Sequence, residues 1–125
     1  MASILIVEDN DKSMKLVRDI LRHQGHTTLE ARTGEDGVRL ALERRPALIL
    51  MDIQLPGISG ITALGLIRAQ HALDAVPVVA VSASVMPEDQ ARIVHSGFDG
   101  QLSKPIALKS FVATVEHFLQ NGRPA

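Results

Sequence analysis

Five polar side chains stand directly behind short apolar runs. Glu8 and Asp9 follow Ile4-Leu5-Ile6-Val7, Asp52 follows Ala47-Leu48-Ile49-Leu50-Met51, Ser82 follows Val78-Val79-Ala80-Val81, and Lys104, backed by Pro105, comes soon after Gly100–Leu102. Carboxylates brought close together either raise one another's pKa or recruit a cation. With oxygen ligands only and no nearby His or Cys, the fitting ion is a hard divalent one. Mg²⁺ takes few carboxylates, keeps several waters and accepts a phosphate oxygen; Mn²⁺ is the alternative. An acidic pocket, a metal, one lysine and one hydroxyl together suit a phosphoryl group. The metal and Lys104 would neutralise its equatorial oxygens, Ser82 would donate a hydrogen bond, and a carboxylate would be the nucleophile, with Asp52 the central candidate.

The elements that carry these residues alternate. Ile4–Val7, Ala47–Met51 and Val78–Val81 are short, apolar and rich in β-branched residues, the pattern of strands buried on both faces of a parallel sheet. Thr27–Ala31 and Gly100–Leu102 are shorter or more polar, as edge strands are. Between them lie helical patterns. Met14, Val17, Ile20 and Leu21 share a face, with Gly25 as the stop. Thr33-Gly34-Glu35-Asp36 reads as a capping box, and Pro46 ends that helix. Ser59 caps a third helix, Pro87 starts a fourth that Gly97 closes, and Leu108, Phe111, Val112, Val115, Phe118 and Leu119 stripe the last. The tail Asn121–Ala125 is expected to fray.

The order βαβαβαβαβα implies an α/β fold, a parallel sheet with helices on both faces. Placing the three apolar strands centrally gives the flavodoxin-like order 2-1-3-4-5. Ligands of such sheets bind at the carboxyl ends of the strands, where strand order reverses, and adjacent strands are only about 4.8 Å apart. Glu8, Asp9 and Asp52 must therefore crowd one another there. Taken singly, an acidic pair before a helix is an N-cap, an Asp or Ser after a strand is a turn residue, and Lys104 is a surface lysine. Their shared edge is what independent turn residues would rarely produce.

The 125 residues suit one domain, residues 1–125, with 46% apolar and 22% charged side chains. The absence of Cys removes disulfides, thiolate nucleophiles and Cys-based metal sites. Three Phe with no Trp or Tyr are too few rings to stack bases, and a net charge of −1 draws neither nucleic acid nor anionic membrane. No apolar run approaches the roughly 18 residues of a membrane span, and there is no basic n-region of a secretory signal, so a cytoplasmic protein is expected. His23, His26, His71, His95 and His117 lack ligand spacing and read as surface groups; Met14 and Met51 read as core fillers and Met86 as a helix-entry residue.

The chain resembles the receiver domain of bacterial two-component response regulators. The resemblance runs from Ile4-Leu5-Ile6-Val7-Glu8-Asp9-Asn10, through Leu48-Ile49-Leu50-Met51-Asp52-Ile53-Gln54-Leu55-Pro56-Gly57 and Val78-Val79-Ala80-Val81-Ser82-Ala83, to Leu102-Ser103-Lys104-Pro105. It is closest in look to single-domain regulators of the DivK type, which act in cell-cycle and polarity control. Met-Asp-Ile-Gln-Leu-Pro and Ser-Lys-Pro-Ile also recur in receivers of hybrid kinases. The resemblance implies that Asp52 accepts a phosphoryl group from a His of a sensor kinase or a histidine phosphotransfer protein. It implies Asp9, Asp52 and the backbone carbonyl of Gln54 as metal ligands, with Glu8 acting mainly through a bound water. Ser82 would be the switch hydroxyl, the Ala83 backbone N–H and Lys104 would contact the phosphoryl group, and the bond to Pro105 would be cis, a state of about 5–6% of X–Pro bonds in folded proteins. Gln54 and Ser84, two positions beyond Asp52 and Ser82, would tune phosphoryl lifetime.

One position departs from the pattern. Receivers usually carry Tyr or Phe three residues before the motif lysine, and here it is Gln101. Phosphorylation should survive; the route from the pocket to the fourth helix and fifth strand should be damped or gated differently.

As a stand-alone receiver with nothing after residue 125, the protein is expected to signal through phosphorylation-dependent contact with a downstream protein, through the fourth helix, fifth strand and fifth helix. A receiver module of a hybrid kinase or a phosphorelay shuttle is the alternative. An aspartyl phosphatase would carry a second Asp two residues after Asp52, where Gln54 cannot transfer protons. A flavin-binding protein would need a phosphate cradle after the first strand, where Glu8-Asp9-Asn10-Asp11 repels phosphate. A degenerate receiver would lack the full set that this chain retains. The expected role is thus a phospho-accepting signalling domain, catalysing only its own phosphorylation and dephosphorylation.

Overall fold

The computed structural model describes residues 2–83 and 87–123, the side chain of residue 89 excepted. The five strands are β1 (Ser3–Val7), β2 (Thr27–Ala31), β3 (Leu48–Asp52), β4 (Val78–Ser82) and β5 (Gly100–Ser103). They alternate with α1 (Asp11–His23), α2 (Gly34–Arg44), α3 (Gly60–Arg68), α4 (Pro87–His95) and α5 (Leu108–Asn121), and a short 3₁₀ turn spans His71–Leu73. All pairings are parallel and the sheet order is β2-β1-β3-β4-β5. This is the flavodoxin-like arrangement expected above, with β1 and β3 flanking the point where strand order reverses.

Alternation along each strand divides the core between the two faces. Ile4, Ile6, Leu48, Leu50, Val79 and Val81 pack on one face against Met14, Val17 and Leu21 of α1 and Phe111, Val115 and Phe118 of α5. Leu5, Val7, Ile49, Met51 and Val78 pack on the other against Ala41 of α2 and Ala63, Leu64 and Ile67 of α3. Because both faces are covered, the central strands carry no polar alternation, and each fully buried Ile, Leu or Val contributes roughly 1.5–3 kcal/mol. Met14 and Met51 are fully buried, as core fillers should be.

The helix starts follow the local signals. Thr33 caps α2 by accepting from the Asp36 N–H at 3.1 Å, and Ser59 caps α3 by accepting from Thr62 at 3.2 Å. Gly25 and Gly97, the two expected stops, both take left-handed φ values, +90° and +101°. Met86 and Ser84 lie outside the described residues.

Three expectations are corrected. β3 starts at Leu48 rather than Ala47, and Asp52 and Ser82 are the last residues of their strands, not the first after them, because the parallel ladder still pairs Asp52 with Val81 and Ser82 with Ser103. Residues 121–123 do not fray: Asn121 closes α5, and Arg123 Nε donates to Asp99 Oδ1 at 3.0 Å while its Nη1 donates to the Asp74 carbonyl at 2.9 Å. Asp99 is itself held by Arg68 Nη2 and the Val78 N–H, each at 2.9 Å, so the tail is tied to a buried carboxylate. His26 is half-buried, unlike the other four histidines; its amide donates to the Leu21 carbonyl at 3.0 Å, and its Nδ1 is enclosed without a hydrogen-bond partner. Burial accordingly holds its imidazole below the ordinary value.

Candidate functional site

The carboxyl ends of β1, β3 and β4, with the residue that follows β5, converge on one corner of the sheet. Glu8, Asp52 and Ser82 are buried there, at 4%, 6% and 3% exposure, while Asp9 is exposed. One carboxylate oxygen from each of Glu8, Asp9 and Asp52 lies within 4.8 Å of the other two. The acidic pair is not consumed in capping α1. That task falls to Asn10, whose Oδ1 accepts from the Ser13 N–H at 3.0 Å.

Lys104 closes the cluster from β5. Its Nζ donates to Glu8 Oε1 at 2.6 Å and to Asp52 Oδ2 at 3.2 Å. Backbone amides fix the remaining oxygens: the Asn10 N–H donates to Glu8 Oε2 at 3.2 Å and the Gln54 N–H to Asp52 Oδ1 at 3.1 Å. Burial and the neighbouring Glu8 carboxyl push Asp52 up to about 6, against the pull of Lys104. Burial would raise Glu8 as well, but the hydrogen bonds from Asp52, Lys104 and the Asn10 amide outweigh it and hold Glu8 below its usual range. Burial alone would lower the Lys104 ammonium; its two carboxylate partners hold it above its ordinary value. Crowding therefore lets Asp52 hold its proton to a higher pH than an isolated acid would, and a divalent cation would relieve that crowding.

Close packing sets where Asp52 stands. Gly60 opens α3 directly over the end of β3, and its N–H donates to the Ile53 carbonyl at 3.0 Å. A Cβ at Gly60 would overlap the Asp52 carbonyl oxygen and lie 2.9 Å from Ile53 Cα, so only glycine allows this approach.

Of the other described residues singled out above, Ala83 and Pro105 directly follow Ser82 and Lys104, and Gln101 lies within β5. The Lys104–Pro105 peptide bond is cis. Ala83 is exposed at the end of β4. Gln101 is half-buried on β5, away from the carboxylates, and its side-chain amide donates to the Gln90 Oε1 of α4. Gln90 was not singled out from the sequence. The signal was there: it lies three residues before Ile93, a buried residue of α4, and so on the same helix face.

The family model of the response regulator receiver domain matches residues 4–116. The chain belongs to that family. Receiver domains are the phosphoryl-accepting modules of two-component signalling, as the resemblance implied. Among curated relatives, this receiver is 42% identical to the polar-differentiation response regulator DivK of Brucella anthropi, over 94% of its own length and 95% of the relative's. The DivK of Brucella ovis is 41% identical over the same spans. Among solved structures, the receiver domain of the sensor histidine kinase PA1611 of Pseudomonas aeruginosa superposes with a TM-score of 0.90 at 29% identity, covering 96% of this chain and 98% of that one; it is described with a magnesium ion coordinated in its active site cleft. The signal receiver domain of a histidine kinase from Syntrophus aciditrophicus gives 0.90 at 28% identity, covering 96% and 91%.

Proposed function

We propose that this receiver is phosphorylated on Asp52 in a Mg²⁺-dependent reaction, by a phosphohistidine of a sensor kinase or phosphotransfer protein. The observation that carries this reading is Lys104 Nζ bridging Glu8 Oε1 and Asp52 Oδ2 within a cluster of three acids. In the transfer, an Asp52 carboxylate oxygen forms a bond to phosphorus, the P–N bond breaks, and its electron pair returns to the donor imidazole. The Gln54 amide and Lys104 keep the Asp52 carboxylate oriented, one partner to each oxygen. Lys104 and the Ser82 hydroxyl then contact the transferred oxygens, with the Ala83 N–H beside them.

The donor set fits a hard cation: Asp9, Asp52 and the Gln54 carbonyl would hold Mg²⁺, or Mn²⁺, with Glu8 acting through a water. When bound, the ion supplies charge neutralisation at the phosphoryl oxygens. The protein acts as a signalling switch in the cytoplasm, catalysing only its own phosphorylation and dephosphorylation, and its phosphorylated state is read by a downstream protein partner. By the resemblance, Gln54 and Ser84 would tune the lifetime of that state. Among the described residues, no helix is long and apolar enough to cross a membrane.

Incubation with acetyl phosphate and Mg²⁺, followed by intact mass measurement, tests the reading. The expected result is a gain of one phosphoryl mass that is lost in Asp52→Asn. Labelling that persists in Asp52→Asn would assign the acceptor elsewhere.

A further inference from the structure

Glu8, Asp9 and Asp52 share one corner, yet they are held there differently. Glu8 accepts hydrogen bonds from Lys104 Nζ and the Asn10 N–H, and Asp52 from Lys104 Nζ and the Gln54 N–H. Asp9 is exposed, and its side chain has no hydrogen bond or ion pair among the described residues. Even so, one of its carboxylate oxygens lies within 4.8 Å of an oxygen of each of the other two acids. With no partner of its own, that carboxylate is placed by the backbone of the turn between β1 and α1.

Asn10 holds that turn at both ends. Its N–H donates to Glu8 Oε2 at 3.2 Å, its Oδ1 accepts from the Ser13 N–H at 3.0 Å, and its carbonyl accepts from the Met14 N–H at 2.9 Å. Met14 is fully buried, so the last of these bonds ties the turn to the core. The cap has a second effect. The start of a helix presents unpaired N–H groups and a partial positive charge, which attract the nearest free anion. Asp11, in the first turn of α1, is paired with Arg32, which leaves Asp9. Asn10 satisfies the Ser13 N–H with a neutral oxygen instead. Asp9 is not drawn onto the helix, and the cap adds no fourth charge to the three acids.

We infer that Asn10 is a positioning residue for the metal site: its side chain keeps the Asp9 carboxylate in the cluster, where a divalent cation can use it. The inference rests on the reading of Asp9 as a ligand of that cation. Asn10 acts through Asp9 and needs no contact with the ion.

The experiment is a Mg²⁺ titration followed by amide chemical shifts, on the wild type, Asn10→Ala, Asn10→Ser, Asp9→Asn and the double variant Asp9→Asn with Asn10→Ala. Each is held at a temperature where far-ultraviolet circular dichroism shows it folded. Affinity should fall about tenfold in Asn10→Ala. It should return to within about twofold of wild type in Asn10→Ser, whose hydroxyl caps as well as an amide does. Added to Asp9→Asn, the same Asn10→Ala change should weaken binding by less than about twofold, because the group it positions is already gone. A role confined to stability would lower the unfolding midpoint and leave the affinity of the folded chain alone. The inference is overturned by an affinity of Asn10→Ala within about twofold of wild type, by an equal loss with and without Asp9→Asn, or by no recovery in Asn10→Ser. If Asn10→Ala does not fold, Asn10→Gly replaces it, since glycine costs a cap little stability and offers no side-chain oxygen. Absence of Mg²⁺ binding in the wild type, or full affinity in Asp9→Asn, instead removes the metal-site reading and the inference with it.

Discussion

Lys104 Nζ stands closer to Glu8, at 2.6 Å, than to Asp52, at 3.2 Å. Lys104 is thus anchored by the neighbouring Glu8 and not by Asp52 alone. Its side chain keeps 20% exposure while Glu8 and Asp52 keep 5% and 7%. One cation compensates two nearly buried carboxylates.

Lys104→Met should therefore destabilise the protein by about 2 kcal/mol in chelator, since two buried acids lose their counter-charge. Added Mg²⁺ should recover part of the loss. Urea unfolding followed by far-ultraviolet circular dichroism, with and without Mg²⁺, measures both; equal stability of variant and wild type in chelator would contradict the pairing.

Asp52→Asn should do the opposite. A carboxyl whose folded pKa of about 6 exceeds its unfolded value disfavours the folded chain when ionised, and protonation relieves this as pH falls. In chelator at about pH 8 the variant should exceed the wild type by roughly 3 kcal/mol. The advantage should shrink as pH drops through about 6. It should vanish near the unfolded carboxylate value of about 3.9. A pH series of unfolding midpoints reads the difference directly.

Asp9→Asn should weaken Mg²⁺ binding by roughly tenfold or more, because one of few anionic ligands is lost. Ser82→Ala should leave that affinity near wild type while slowing phosphorylation by acetyl phosphate. Titration calorimetry and initial rates of mass gain separate the two effects. There is no Trp or Tyr in the chain to report by fluorescence.

Gln101 bonds to Gln90 at the position where the resemblance implies an aromatic ring. The amide pair ties β5 to α4, so beryllofluoride with Mg²⁺ should shift the amides of residues 86–104 less than it does in Gln101→Tyr. A shift pattern in the wild type as large as in the tyrosine variant would show that the amide pair transmits as well as a ring.

Gly60→Ala should cost about 2 kcal/mol and slow phosphorylation, because the new methyl group meets backbone rather than a yielding side chain. Thermal unfolding and mass gain test the two parts. Gly65→Ala, whose Cβ meets nothing within 4 Å, is the control on the same helix.

Much of this molecule was legible in one dimension. Runs such as Ile4–Val7 and Val78–Val81 announce strands because burial on both faces of a parallel sheet leaves no room for polar alternation, and the strict βα alternation then limits the topology. Thr33 and Ser59 mark helix starts because capping is local chemistry. Glu8, Asp9, Asp52, Ser82 and Lys104 could be assigned to one edge because a strand's end is encoded in its own composition. Tertiary structure decided what depends on distant partners. That Asn10 rather than the acidic pair caps α1, that Lys104 leans toward Glu8, that Asp99 gathers Arg68 and Arg123, and that Gln101 meets Gln90 are all consequences of helix rotation and strand stagger. Periodicity gives the face of an element, but the partner across that face is set only when the whole core has packed.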